Sequence, residues 1–236
     1  MDDESLRVWE LIGAAAAVRR GPVGAQDACT ACVDALRLSG AGLSVISGVP
    51  GMRLMPLHVV GALGRDLLEA ELTSGDGPCV DTVNGHEPVL VGDLRGRASQ
   101  ARWPLFTALS QAARVRAVFA FPLLAGPVSV GVLALCHDHR RVLSGAEEAQ
   151  ARHFADAAVL LLLNMVDGDG EAIPVGALAL GPQIHQASGI VAVQADCSVE
   201  EALLRLRAYA LAADEPLSQV ARRVVEHTLH LSGHET

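Results

Sequence analysis

Four arginines near the carboxy-terminal end, Arg205, Arg207, Arg222 and Arg223, share a segment with His185, Gln186, Ser188 and Tyr209. A guanidinium can clamp a phosphate or stack on a base, and aromatic faces accept unstacked bases of single-stranded loops. The same residues also suit an ordinary solvated helix surface. Glu201 lies four positions before Arg205, and an i,i+4 ion pair accounts for both without a ligand. Tyr209 repeats at helical spacing with Ala202 and Leu206, which assigns it to a core rather than to contact.

Elsewhere the reactive residue types are dispersed. Cys29 and Cys32 form a C-x-x-C pair, but no second pair accompanies it and the surrounding alanine-rich helix accommodates buried thiols. Cys79 follows Pro78 and is expected to be buried. His137 and His139 alternate beside Cys136 and Asp138; neighbours along a strand face opposite sides, so no metal is expected there. Asp167-Gly168-Asp169-Gly170 opens like a calcium loop but lacks the remainder of the twelve-residue pattern, and reads as linker. No Ser/His/Asp set, phosphate-cradling glycine loop or suggestive carboxylate pair is present, so an enzyme is not expected.

The elements that must carry these residues read as two units. Half of the 236 residues are apolar, enough for a substantial core plus a small second module. Helices are predicted over 5–18 and 25–38, a hairpin of short strands over 43–46 and 52–60, a helix over 63–72, turn residues over 73–78, a strand over 88–91 and a helix over 103–113. Two stronger strands, 117–124 and 128–136, flank Ala125, Gly126 and Pro127. Ser144 with Glu147 forms a capping box that opens a helix to Met165. This order predicts an α+β unit, one antiparallel sheet flanked by helices, over 1–166. Glycines mark 167–181 as a hinge, and 182–194, 199–213 and 217–229 predict a three-helix unit within 182–236, with Ser198 and Glu201 as a second capping box.

Charge and targeting signals narrow the setting. The net charge is −9, lysine is absent and all eighteen basic residues are arginine. Residues 180–236 hold four arginines against seven acids, so any contact with nucleic acid must be local, salt-dependent and best made by two modules together. Asp2, Asp3 and Glu4 stand where a secretory signal is basic, and the longest uncharged apolar run, Ala157 to Val166, is far short of the roughly 20 residues of a membrane span. A cytoplasmic protein with reduced cysteines is the expectation.

Two resemblances attach to these patterns. Ser74-Gly75-Asp76-Gly77-Pro78-Cys79-Val80-Asp81, then Pro88-Val89-Leu90-Val91-Gly92-Asp93-Leu94, Phe121-Pro122-Leu123 and Gly131-Val132-Leu133, resemble a GAF domain of the actinobacterial type. Ile184-His185-Gln186-Ala187-Ser188-Gly189-Ile190-Val191, Ser198-Val199-Glu200-Glu201-Ala202, Leu206-Arg207 and Leu217-Ser218-Gln219-Val220-Ala221 resemble an ANTAR domain. Together they imply a transcription antitermination regulator whose GAF-like unit answers an unidentified small-molecule effector or partner. Its ANTAR-like unit would bind RNA hairpins of nascent transcripts, with the protein acting as a homodimer.

On that resemblance His185, Gln186, Ser188, Arg205, Arg207, Tyr209, Arg222 and Arg223 become the RNA-binding candidates, while Ala187, Gly189 and Ala202 serve close packing. Ser188 departs from the lysine common in the family, so a phosphate-seeking charge is missing. The cyclic-nucleotide pattern of some GAF domains requires lysine and cannot be met; no cofactor is expected. The helix over 144–165 and the first helix are the elements expected to meet across a two-fold axis. Two rivals remain: a dimeric protein-interaction module without RNA binding, and a thiol redox enzyme on the GAF-like fold.

Overall fold

The computed structural model describes residues 3–48, 51, 54–167 and 180–231. A five-stranded sheet organises the first unit: β1 (Gly40–Ile46), β2 (Leu54–Val60), β3 (Val89–Val91), β4 (Ala117–Ala125) and β5 (Val128–His137), in the spatial order β2-β1-β5-β4-β3. Every neighbouring pair is antiparallel. Gly126, at φ +62°, and Pro127 form the two-residue turn between β4 and β5, the glycine-first arrangement of tight hairpins. This is the strand pair that the sequence predicts, and β5 lies at the sheet centre.

Alternation along the strands sends side chains to two separate cores. Phe119, Phe121, Leu133 and Leu135 join one apolar cluster with Ile12, Cys29, Cys32 and Phe154. These belong to α1 (Asp3–Arg19), α2 (Ala25–Leu36) and α7 (Gly145–Asp167), which cover that face. Val118, Ala120, Val132 and Ala134 join the other cluster with Leu67, Cys79, Trp103 and Phe106. Its cover is α3 (Gly61–Ser74), α4 (Pro78–Gly85) and α6 (Pro104–Ala112), with α5 (Arg97–Arg102) packed on α6. α3 lies so close to β1 that a Cβ on Gly64 would sit 2.4 Å from the Ala41 carbonyl oxygen. Only glycine permits that approach.

Local signals explain most boundaries. The Ser144 box forms reciprocally: Glu147 N–H donates to Ser144 Oγ (3.3 Å) and Ser144 N–H to Glu147 Oε2 (2.8 Å). The helix expected over 103–113 begins instead at Pro104. Proline pushes the preceding residue out of the helical region, and Trp103 (φ −133°, ψ 70°) separates α5 from α6. α4 and α5 lie where the sequence predicts no helix.

The second unit comprises α8 (Leu180–Gln194), α9 (Val199–Ala213) and α10 (Leu217–Val225). Ile184, Ala187, Val191, Ala202, Leu206, Ala210, Leu217, Val220 and Val224 close a third apolar cluster, with Leu72 of α3 contributing to it. α10 ends earlier than the predicted 229, because His227 turns to φ +57° and the Thr228 and Leu229 N–H groups both return to Arg223 O. The hinge predicted at 167–181, including most of Asp167-Gly168-Asp169-Gly170, lies outside the described residues except at its ends. Among the described residues, no helix is long and apolar enough to cross a membrane.

Candidate functional site

The candidate arginines divide according to what holds them. On α9, Ser198 Oγ accepts the Glu201 N–H (3.1 Å), one half of the capping box that the sequence predicts. The Glu201 carboxylate accepts Arg205 Nη2 at 2.8 Å, so Arg205 is engaged by the i,i+4 pair that its spacing suggests. On α10, Arg223 Nη1 donates to both oxygens of Glu215 (2.9 and 2.7 Å), and its guanidinium stands 6.0 Å over the Tyr209 ring. That carboxylate raises the Arg223 pKa. Arg222 is exposed and makes no ion pair among the described residues.

Arg207 faces the other way. Its Nε donates to Leu72 O of α3 at 2.9 Å and its Nη2 to Gly51 O at 3.4 Å. Burial alone lowers its pKa from the ordinary value, and no carboxylate offsets that. His185 and Gln186 are exposed on α8. Ser188 is 1% exposed and donates its hydroxyl to Ile184 O (2.8 Å), which removes it from the surface. Tyr209 is half-buried against the helical core, as its stripe predicts. The fold thus brings Tyr209 and Arg223 together, leaves His185, Gln186 and Arg222 open to solvent, and turns Arg207 into the seam.

That seam is built around α3. Arg207, Glu71, Leu68, Leu72, Ser44 and Pro56 line a cavity of about 30 Å³, room for one or two waters. Glu71 is buried, and its Oε1 accepts the Cys79 N–H (2.8 Å) in the first turn of α4. Burial pushes its pKa up to about 7. The Ser74–Asp81 motif has a structural account. Gly75 ends α3 at φ +70°, Pro78 opens α4, and Asp81 accepts Trp103 Nε1 (3.0 Å) and pairs with Arg102 (2.7 Å). Sequence reasoning missed Glu69, whose Oε1 accepts the Ser218 N–H of α10 at 2.8 Å. Its only local signal is an acid on the helix that carries Glu71, because the contact spans 149 positions.

Four of the five thiols are not presented for chemistry, and the fifth, Cys197, is half-buried on the helical unit. Cys29, Cys32, Cys79 and Cys136 are all buried. Burial pushes Cys29 and Cys136 up to about 12 and raises Cys32 and Cys79 as well, the reverse of what a reactive thiolate requires. At the end of β5 the chain bends after His137, so His137, Asp138 and His139 bring one potential ligand atom each within 4.8 Å of the others. The strand alternation assumed from sequence therefore ends at the first member of this trio. Hydrogen bonds account for their grouping: Ser39 Oγ donates to Asp138 Oδ1 (3.0 Å) and meets His137 Nδ1 (2.8 Å), while His139 Nδ1 lies 2.8 Å from Asp138 Oδ1.

No family model matches the chain, and no curated protein matches it by sequence. Among solved structures, it is similar to the GAF domain of an Acinetobacter phosphoenolpyruvate-protein phosphotransferase. That likeness has 10% identity, covers 73% of this chain and 100% of that one, and has a TM-score of 0.51. A GAF domain of the Coxiella burnetii phosphoenolpyruvate-protein phosphotransferase is also similar, with 9% identity, 71% and 99% coverage and a TM-score of 0.47. So is a free methionine-R-sulfoxide reductase from Neisseria meningitidis in complex with its substrate, with 14% identity, 69% and 92% coverage and a TM-score of 0.47. At such identities likeness speaks for fold alone: the sheet and its flanking helices have a GAF-like α+β fold.

Proposed function

We propose that this chain is a signal-responsive, RNA-binding transcription antitermination regulator of the cytoplasm. Its GAF-like unit answers a small molecule or partner, and its ANTAR-like three-helix unit binds RNA hairpins in nascent transcripts. The observation that carries the reading is the helical unit's own core. Ala187, Ala202, Leu206, Val220 and Ala221 of the ANTAR-like patches are all fully buried there, while His185, Gln186 and Arg222 stay exposed. The ANTAR-like patches thus supply a packed core and, at His185 and Gln186, an exposed surface, with Arg222 exposed just beyond the last patch.

A homodimer suits the charge balance, since one acidic module with few free cations holds phosphate weakly. Exposed Leu11 and Val18 on α1 and Leu160 and Leu163 on α7 leave apolar groups on the two helices expected at the two-fold axis. Filter binding with a synthetic RNA carrying two hexaloop hairpins, at low salt, tests the function. Specific binding that Arg222→Ala weakens supports it, and no binding across a salt series refutes it. One rival has an observation of its own: Arg205, Arg207 and Arg223 are engaged within the chain, which favours a protein-interaction module. A non-enzymatic role is supported by the four buried thiols of raised pKa, and methionine sulfoxide turnover lost in Cys79→Ser would overturn it.

A further inference from the structure

The last carbonyls and first N–H groups of a helix lack partners within it, and an opposite charge at each end is favourable. α3 leaves Leu72 O such an orphan. Gly75 N–H takes Glu71 O (2.8 Å), while the Asp76 N–H turns to Ser74 Oγ (3.3 Å). Arg207 Nε fills the place at 2.9 Å, a cation from α9 on the carboxyl end of α3. α10 has the converse deficit. Its N-cap is Pro216, which has no side-chain acceptor, and its first turn has no acid. Glu69 of α3 supplies a carboxylate to the Ser218 N–H instead. The two units therefore cap each other's helices, with the Leu72 side chain packed into the helical core.

Arg207 is the candidate whose position is explained by the seam and by nothing within its own module. Its partners are carbonyl oxygens, so its full charge stays uncommitted to any acid among the described residues. A phosphate would be a stronger partner than a carbonyl, but Nε cannot serve both.

We infer that the crossed caps form an autoinhibitory latch, in which α3 competes with RNA for Arg207. This rests on the RNA-binding reading. Docked, the chain withholds Arg207; undocked, Arg207 joins Arg222, His185 and Gln186 as RNA contacts. Glu71 places the carboxyl end of α3 under local influence. It lines the same small cavity as Arg207 and holds the start of α4, so an occupant that displaces Leu72 or Gly75 weakens the latch.

The test combines hydrogen exchange and hairpin binding on the full chain. Glu69→Ala removes the cap on α10 and leaves Arg207 intact; Glu69→Gln removes only the charge. Both are expected to speed exchange across Val199–Ala213 and to tighten binding of the two-hairpin RNA, Glu69→Ala by about tenfold if the docked form is about nine-tenths populated. Loss of an acid alone could attract RNA, so each is paired with Arg207→Ala. Arg207→Ala should also speed exchange yet weaken RNA binding, and the gain from Glu69→Ala should vanish in that background. A gain that persists without Arg207, or faster exchange with unchanged affinity, overturns the latch while leaving RNA binding in place. An undocked Glu69→Ala chain that binds no hairpin at low salt removes both ideas together.

Discussion

The sheet layer and the helical seam are held by different kinds of contact. Between the sheet and α1, α2 and α7, fully buried Phe119, Phe121, Leu133, Leu135 and Phe154 interlock, and a bidentate Arg19–Asp27 pair (2.9 and 2.7 Å) ties α1 to α2. Between α3 and the three-helix unit the named contacts are one leucine and two charge-assisted helix caps. Burial of aromatic rings costs several kcal/mol to undo, whereas a cap contributes about 1 kcal/mol. The first arrangement makes a permanent scaffold; the second can open at an energy that a bound molecule supplies.

Phe154→Ala breaks the scaffold side of this contrast most severely. Phe154 is 0% exposed on α7 within the sheet-facing core, and its removal should cost about 3–5 kcal/mol. Urea unfolding followed by circular dichroism will show that as a lower midpoint with an unchanged slope. A loss under 1 kcal/mol would mean that this face is no firmer than the seam.

Glu71 gives the next largest effect, and its sign follows from linkage. Burial raises its pKa from 4.5 to about 7, so between those values the folded chain binds a proton that the unfolded chain has released. Its stabilising contribution is fully present below pH 4.5 and is lost as pH rises through about 7, by on the order of 3 kcal/mol. Glu71→Gln keeps an oxygen for the Cys79 N–H and cannot ionise. The variant should therefore lose that segment of the pH–stability curve and gain on the wild type most above pH 7. An unchanged curve in urea titrations from pH 4.5 to 8 would show that Glu71 ionises without penalty, and that the floor of the seam is wetter than its burial implies.

Ser198→Ala removes the one side-chain cap of α9, worth about 1 kcal/mol. Exchange should quicken in the first turn of α9 and leave the sheet amides unchanged, since the cap belongs to the helical unit. Coupled loss in both units would mean that they unfold as one, which contradicts a releasable seam.

These contrasts also explain what the sequence could reveal. The β4–β5 hairpin was legible because alternation and Gly126-Pro127 act over a few positions. The capping serines were legible for the same reason, their partners lying three residues away. α4 was not, because its amino end is held by Glu71 from another helix rather than by a local cap. The grouping of side chains at 137–139 was not legible because strand alternation ends one residue into it. The ANTAR-like resemblance made the arginines candidates, but their separation into paired, exposed and seam-bound depends on contacts up to 156 positions apart.

Arg205→Ala should have the smallest effect on stability, and is informative for that reason. Its guanidinium pairs with Glu201 within one turn at 2.8 Å, and exposed pairs of this spacing contribute only about 0.3–0.5 kcal/mol. Arg207→Ala removes a side chain that joins two units, so it should loosen docking while Arg205→Ala does not. Thermal unfolding and exchange across α3 will separate the two variants, although both delete one arginine from the same helix. Equal effects would mean that the position of a cation on α9 is immaterial, and that net charge rather than the crossed caps governs how the helical unit sits on α3.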